Sequence, residues 1–141
     1  MRKTAILLSG LLFLAGFGLA QGDTEINLAQ TEAGEHLVNV DGQPLYLFLP
    51  DDQRTSTCVG ECLDDWQPLE LVGGIRMGDG VQVMLIGTIE LEDGTIQVTY
   101  NQWPLYLYTG DADDGSTQLG HALDDAWYLV SGDGTPVGLE E

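Results

Sequence analysis

Residues 88–100 carry the plainest alternation in the chain. Ile89, Leu91, Ile96 and Val98 interleave with Thr88, Glu90, Glu92, Thr95, Gln97 and Thr99, and Asp93-Gly94 divides the two runs. A period of two puts apolar side chains on one face of a strand, and Asp-Gly between two such runs signals a hairpin. A two-residue type I′ loop predicts that Glu92 faces Thr95, Leu91 faces Ile96 and Ile89 faces Val98, with the polar residues on the opposite face. A third strand is expected over 103–109. There Leu105 and Leu107 point one way and Tyr106 and Tyr108 the other, which predicts a strand enclosed between layers.

The same order of runs occurs earlier, at 26–30, at 37–40, at a turn on Asp41-Gly42 and at 43–49. Pro44-Leu45-Tyr46-Leu47-Phe48 recurs sixty positions on as Pro104-Leu105-Tyr106-Leu107-Tyr108, and the register persists through Asp51 and Asp111, Ser56-Thr57 and Ser116-Thr117, and Gly60 and Gly120. One supersecondary unit is used twice. Each copy closes with a short aromatic-led strand, 66–71 and 127–130. One extra residue precedes the second of these, and the loop must absorb it. The expected fold is therefore all-β: two tandem pseudosymmetric units of about four antiparallel strands sharing one core, as a sandwich or a closed sheet. The repeats span about 25–72 and about 84–137. Gly73-Gly74 and Gly78-Asp79-Gly80 form a flexible junction between them, followed by an apolar run at 81–86.

Residues 1–20 read as an export signal: Arg2 and Lys3, an apolar stretch over 5–15, then the small-residue site Gly18-Leu19-Ala20. Residues 21–141 are then a single β domain, large enough to bury about two thirds of its unfolded surface but not to hold two independent cores. No cysteine sits at the cleavage point to carry a lipid, so the expectation is a soluble, unanchored periplasmic or extracellular protein. The whole chain has a net charge of −19; without the signal, two arginines face 23 carboxylates, which is 2 minus 23, or −21. That field repels nucleic-acid phosphates and anionic lipid surfaces and attracts cations.

The motif Tyr-x-(Phe/Trp/Tyr)-x-x-Asp stands as Tyr46-Leu47-Phe48-Leu49-Pro50-Asp51 and as Tyr106-Leu107-Tyr108-Thr109-Gly110-Asp111. It is flanked by Ser56-Thr57-Cys58-Val59-Gly60-Glu61-Cys62 in the first copy and Tyr100-Asn101-Gln102-Trp103-Pro104 in the second. These residues resemble the family of secreted bacterial repeats named for that motif, many of whose members are predicted lipoproteins. The resemblance covers nearly all of the chain beyond the signal. It implies a secreted repeat and no particular activity. Two departures stand out: the lipid-bearing cysteine is missing, and Gln102 holds a position where glycine is usual.

Cys58 and Cys62 are the only cysteines, and the second copy replaces both, with Gln118 and Ala122. In an exported protein the default is a disulfide. Glu61, Asp64 and Asp65 would raise a thiol pKa and disfavour redox exchange. The rival is a copper or zinc site made by Cys58, Cys62 and His121. Asp111, Asp113 and Asp114 begin like a calcium loop, but Ser116 replaces the expected glycine and Ala122 the closing acid. His36 and His121 otherwise read as ordinary histidines. Tyr46, Phe48, Asp51, Tyr106, Tyr108 and Asp111 read as fold-building residues: buried rings, hydroxyls seeking a polar partner such as the motif aspartate, and aspartates accepting amide hydrogens at a turn. No serine-nucleophile elbow, phosphate loop or zinc-protease helix is present. The expected function is an exported non-enzymatic structural or binding module without a resident cofactor and with an unidentified partner. The alternative is binding of a metal (copper, zinc or calcium) or of a small ligand.

Overall fold

The computed structural model describes residues 22–139. The export signal expected over 1–20 lies outside the described residues. The first copy supplies β1 (Thr24–Thr31), β2 (Gly34–Val38), β3 (Tyr46–Phe48), a single helical turn α1 (Cys62–Asp65) and β4 (Trp66–Pro68). The junction contributes β5 (Ile75–Met77) and a 3-10 turn (Val83–Leu85). The second copy supplies β6 (Ile86–Glu90), β7 (Ile96–Tyr100), β8 (Trp103–Pro104), β9 (Tyr106–Tyr108) and β10 (Trp127–Leu129). The protein is all-β in two units. Among the described residues the strands form three sheets, β2-β1-β5, β10-β3-β9-β4 and β6-β7-β8, and none of these closes into a barrel.

The middle sheet explains how two copies make one body. Tyr46 of β3 lies opposite Tyr106 of β9, and each copy's closing strand pairs outside its own unit. β4 runs along β9, with Trp66 opposite Tyr108, while β10 runs along β3, with Trp127 opposite Phe48. The exchange continues beyond the strands. Leu37 N–H donates to Val130 C=O at 2.9 Å, and Val98 N–H donates to Leu69 C=O at 2.9 Å. Apolar residues occupy both faces of this sheet because both faces are covered. One buried cluster (Ile26, Leu37, Leu45, Leu47, Leu69, Val98, Tyr100, Leu105, Tyr128, Val130) packs toward the two flanking sheets. The other (Tyr46, Cys58, Trp66, Tyr106, Trp127, Leu129) holds the motif tyrosines and the closing tryptophans. Each cluster draws on both copies, so the two units share their buried interior across the middle sheet.

Several local expectations change. The β6–β7 hairpin is one residue out of the predicted register: Ile89 faces Gln97 and Thr88 faces Val98. Leu91 pairs with Thr95 across a three-residue loop in which Gly94 takes φ 90°, the geometry of a type I turn followed by a left-handed residue. β7 is also buried on both faces, so Gln97 and Thr99 lie inside instead of facing water. The expected strand over 103–109 breaks at Leu105 into β8 and β9, which serve different sheets. The glycine-rich junction is no mere linker, because its Ile75-Arg76-Met77 pairs in parallel with β1. The run at 81–86 holds the 3-10 turn and the start of β6. Asn101 and Gln102 have φ 51° and 71°, so the turn between β7 and β8 is of type I′ despite the missing glycine. The extra residue before Trp127 is absorbed as predicted: the second copy replaces the turn of α1 with a loop in which Ala122, Asp124 and Asp125 all have positive φ.

Candidate functional site

β3 and β9 bring the two motif tyrosines side by side, and each reaches the aspartate of the other copy. Tyr46 Oη donates to Asp111 Oδ2 at 2.7 Å, and Tyr106 Oη donates to Asp51 Oδ2 at 2.8 Å. The within-motif partnership expected from the sequence is therefore replaced by an exchanged one. The second carboxylate oxygen organises the loop that follows its own strand. Asp51 Oδ1 accepts Thr57 N–H and Thr57 Oγ1–H, each at 2.7 Å, while Asp111 Oδ1 accepts Leu119 N–H at 2.6 Å and Thr117 Oγ1–H at 3.1 Å. Tyr46 Oη also accepts Gly120 N–H at 3.1 Å, and Tyr106 Oη meets the Ser56 hydroxyl. Both tyrosines and both aspartates are buried. Burial, together with the facing carboxylate, pushes both phenols well above their ordinary range. Burial also raises Asp51, and its bonds from Thr57 and Tyr106 oppose that shift.

Around these hydrogen bonds the aromatic rings form a continuous stack. Trp66 and Trp127 lie face to face with centroids 3.6 Å apart, Phe48 stacks on Trp127 at 4.1 Å, and Tyr108 stacks on Trp66 at 4.5 Å. Tyr46 meets Trp66 edge-on and Tyr106 meets Trp127 likewise, both at 5.2 Å. Edge-to-face contacts of this kind add about 0.5–1.5 kcal/mol each beyond burial. Gly120 is squeezed against this stack: a Cβ there would stand 2.6 Å from Trp66 and 3.0 Å from Tyr46. The two tyrosine–aspartate pairs thus work together as a lock between copies, and their hydroxyl and carboxylate oxygens are hydrogen-bonded within the protein.

Cys58 and Cys62 form a disulfide with Cα atoms 5.3 Å apart. Their sulfurs are joined to each other, so the proposed copper or zinc set with His121 does not assemble. His121 Nδ1 instead accepts Leu129 N–H at 3.2 Å. Asp111, Asp113 and Asp114 do not converge either, since Asp111 is spent on the lock and Asp114 accepts Ser116 N–H at 3.0 Å. Among the described residues, no group of three or more His, Cys, Asp or Glu could hold a metal ion. His36 is fully buried. Its Nδ1–H donates to Leu37 C=O and its Nε2 accepts the Thr31 hydroxyl, both at 3.2 Å. Burial lowers the pKa of both histidines, and the nearness of His36 lowers His121 further.

A cleft of about 470 Å³ lies outside the lock, between the disulfide loop and the β6–β7 hairpin. Val59 and Leu63, 68% and 41% exposed, stand on the loop side. Ile89 and Leu91 stand on the hairpin side. Arg54 marks one end, where its N–H donates to Gln102 C=O at 2.8 Å, and Glu90, Glu92 and Asp93 edge the hairpin. Sequence reasoning missed this feature because its walls come from different copies. The exposed apolar pair flanking the disulfide was the available signal.

Among the described residues no helix is long and apolar enough to cross a membrane. No curated protein and no solved structure matches the chain. Residues 27–70 and 87–131 each match the model of a family described as a secreted repeat of unknown function. These segments span more than half of the chain and correspond to the two copies that exchange their closing strands and aspartates, so this protein belongs to that secreted repeat family.

Proposed function

We propose that the chain is a non-enzymatic module working outside the cytoplasm, soluble and without a lipid anchor, in which the repeat motif builds a rigid scaffold and binding falls to the surface around it. The observation that carries this reading is the exchanged lock: Tyr46 is spent on Asp111 and Tyr106 on Asp51, and neither pair faces an open site. A buried, carboxylate-bonded tyrosine is a poor general acid or base at neutral pH, because its raised pKa keeps the proton on the phenol. The disulfide fixes the cleft's loop side, and the hairpin supplies the other.

Two sets of variants test the assignment. Asp51→Asn and Asp111→Asn leave one oxygen where two accept, so each should lower the melting temperature by several degrees, as loss of a buried charged acceptor costs about 1–3 kcal/mol. Val59→Ser and Leu63→Ser in the cleft should leave it nearly unchanged. Full stability in both aspartate variants would return the motif to the role of a ligand platform. Elemental analysis of the protein purified from its native compartment should find no stoichiometric copper, zinc or calcium. One bound ion per chain would restore the metal-binding alternative.

A further inference from the structure

β1 and β6 occupy the same place in the two copies, yet their outer edges differ. β1 is covered at its start by β5, with Glu25 opposite Arg76 and Ile26 opposite Met77, and Arg76 Nε lies 3.8 Å from Glu25. The protein therefore lays an apolar-basic-apolar segment, Ile75-Arg76-Met77, on one sheet edge and sets its cation against an acid of that edge strand. Among the described residues nothing pairs with the outer edge of β6. Leu91 N–H donates to Thr95 C=O and Asn101 N–H to Leu85 C=O, so by ladder alternation the amide and carbonyl groups of Thr88 and Glu90 point away from β7. These residues line the 470 Å³ cleft or its continuation past Arg54, beside the apolar Val59 and Leu63.

We infer that the free edge of β6 takes an extended segment of a partner protein whose side chains alternate apolar and basic, added to the sheet as a further strand. Backbone groups at Thr88 and Glu90 supply the ladder, the cleft receives an apolar side chain, and Glu90, Glu92 and Asp93 select the cations. Charge decides between occupants. A second copy of this chain would bring Glu90 against like charge within a field of net charge −19, whereas a basic strand meets a complementary surface. The inference rests on the binding-module reading and adds the class of partner.

The test uses the purified protein and the fluorescently labelled, end-blocked peptide Thr-Ile-Arg-Val-Lys-Val. Its controls are a peptide of the same composition with the alternation broken, Ile-Val-Val-Thr-Arg-Lys, and a version with glutamate in place of arginine and lysine. The alternating peptide should bind saturably, at least tenfold more tightly than either control, and should shift the amide resonances of Thr88 and Glu90. Thr88→Pro, which removes an outward N–H, and the charge reversal Glu90→Lys should each weaken binding at least tenfold while the melting temperature shows the fold intact. Equal binding of the composition-matched control would reduce the effect to net charge and overturn the proposal. So would an absence of saturable binding, or binding indifferent to both variants. Because the scaffold assignment is read from the stability of the aspartate variants, a peptide that does not bind would overturn the edge proposal alone.

Discussion

Gly120 shows how much of this fold depends on single atoms. A methyl group at that position meets the rings of Trp66 and Tyr46, already packed edge to face with little room to retreat, so Gly120→Ala should cost about 1–3 kcal/mol by overpacking. Its sequence counterpart Gly60 has nothing within 4 Å but holds φ 64°, so Gly60→Ala should cost about 1–2 kcal/mol through backbone strain alone. Urea denaturation of both variants distinguishes the mechanisms: near-ultraviolet circular dichroism from the tryptophan pair should change in the Gly120 variant only. Gln102 offers the converse case. Its side chain occupies the left-handed region at φ 71°, and Gln102→Gly should stabilise the protein by about 0.5–1 kcal/mol, measurable as a higher urea midpoint.

At the scale of elements, the disulfide closes a short loop between Cys58 and Cys62, so replacing both by alanine should cost at most about 2 kcal/mol, read by thermal unfolding. The elements themselves were largely legible. Period-two alternation located β6 and β7, the gapless repeat placed Tyr46 and Tyr106 at matching positions, and the export setting predicted the Cys58–Cys62 bond. What escaped has physical causes. Whether Asp93-Gly94 closes a two- or a three-residue loop depends on where Gly94 takes up its positive φ, and that choice moved the register by one residue. Ile75-Arg76-Met77 is too short to show a period and is flanked by glycines, so its pairing with β1 is visible only in three dimensions. The exchange of β4 and β10 was hidden for a different reason. Two copies of one sequence offer each closing strand two nearly equivalent partners, and repetition does not say which it takes. The candidate site followed the same division: its residues were named from the motif, but their partners were not.

For the whole molecule, pH and salt should act through groups already placed. The folded pKa values of Tyr46 and Tyr106 are raised above the ordinary 10.0, so their contribution is complete below pH 10 and is lost as pH climbs past it. Those of His36 and His121 are lowered from 6.5, so their contribution holds above that pH and is lost as pH falls through the folded values. Stability measured against pH should therefore decline above pH 10 and, through the histidines, below 6.5, while Asp51, whose folded pKa is raised above 3.8, opposes the acid-side loss, and Tyr46→Phe should flatten the alkaline limb. With 23 acidic against four basic side chains, self-repulsion opposes compaction, and ions relieve it over about 10 Å at 0.1 M salt. Sodium chloride should then raise the melting temperature nearly as well as calcium chloride at matched ionic strength. Each copy is closed by the other's aspartate, and double-mutant cycles measure that exchange. Tyr46→Phe should couple to Asp111→Asn, and Tyr106→Phe to Asp51→Asn, by about 1 kcal/mol or more, while the within-motif cycles Tyr46 with Asp51 and Tyr106 with Asp111 stay within about 0.5 kcal/mol of additive. Strong coupling within each motif, with additivity across the copies, would contradict the exchanged lock.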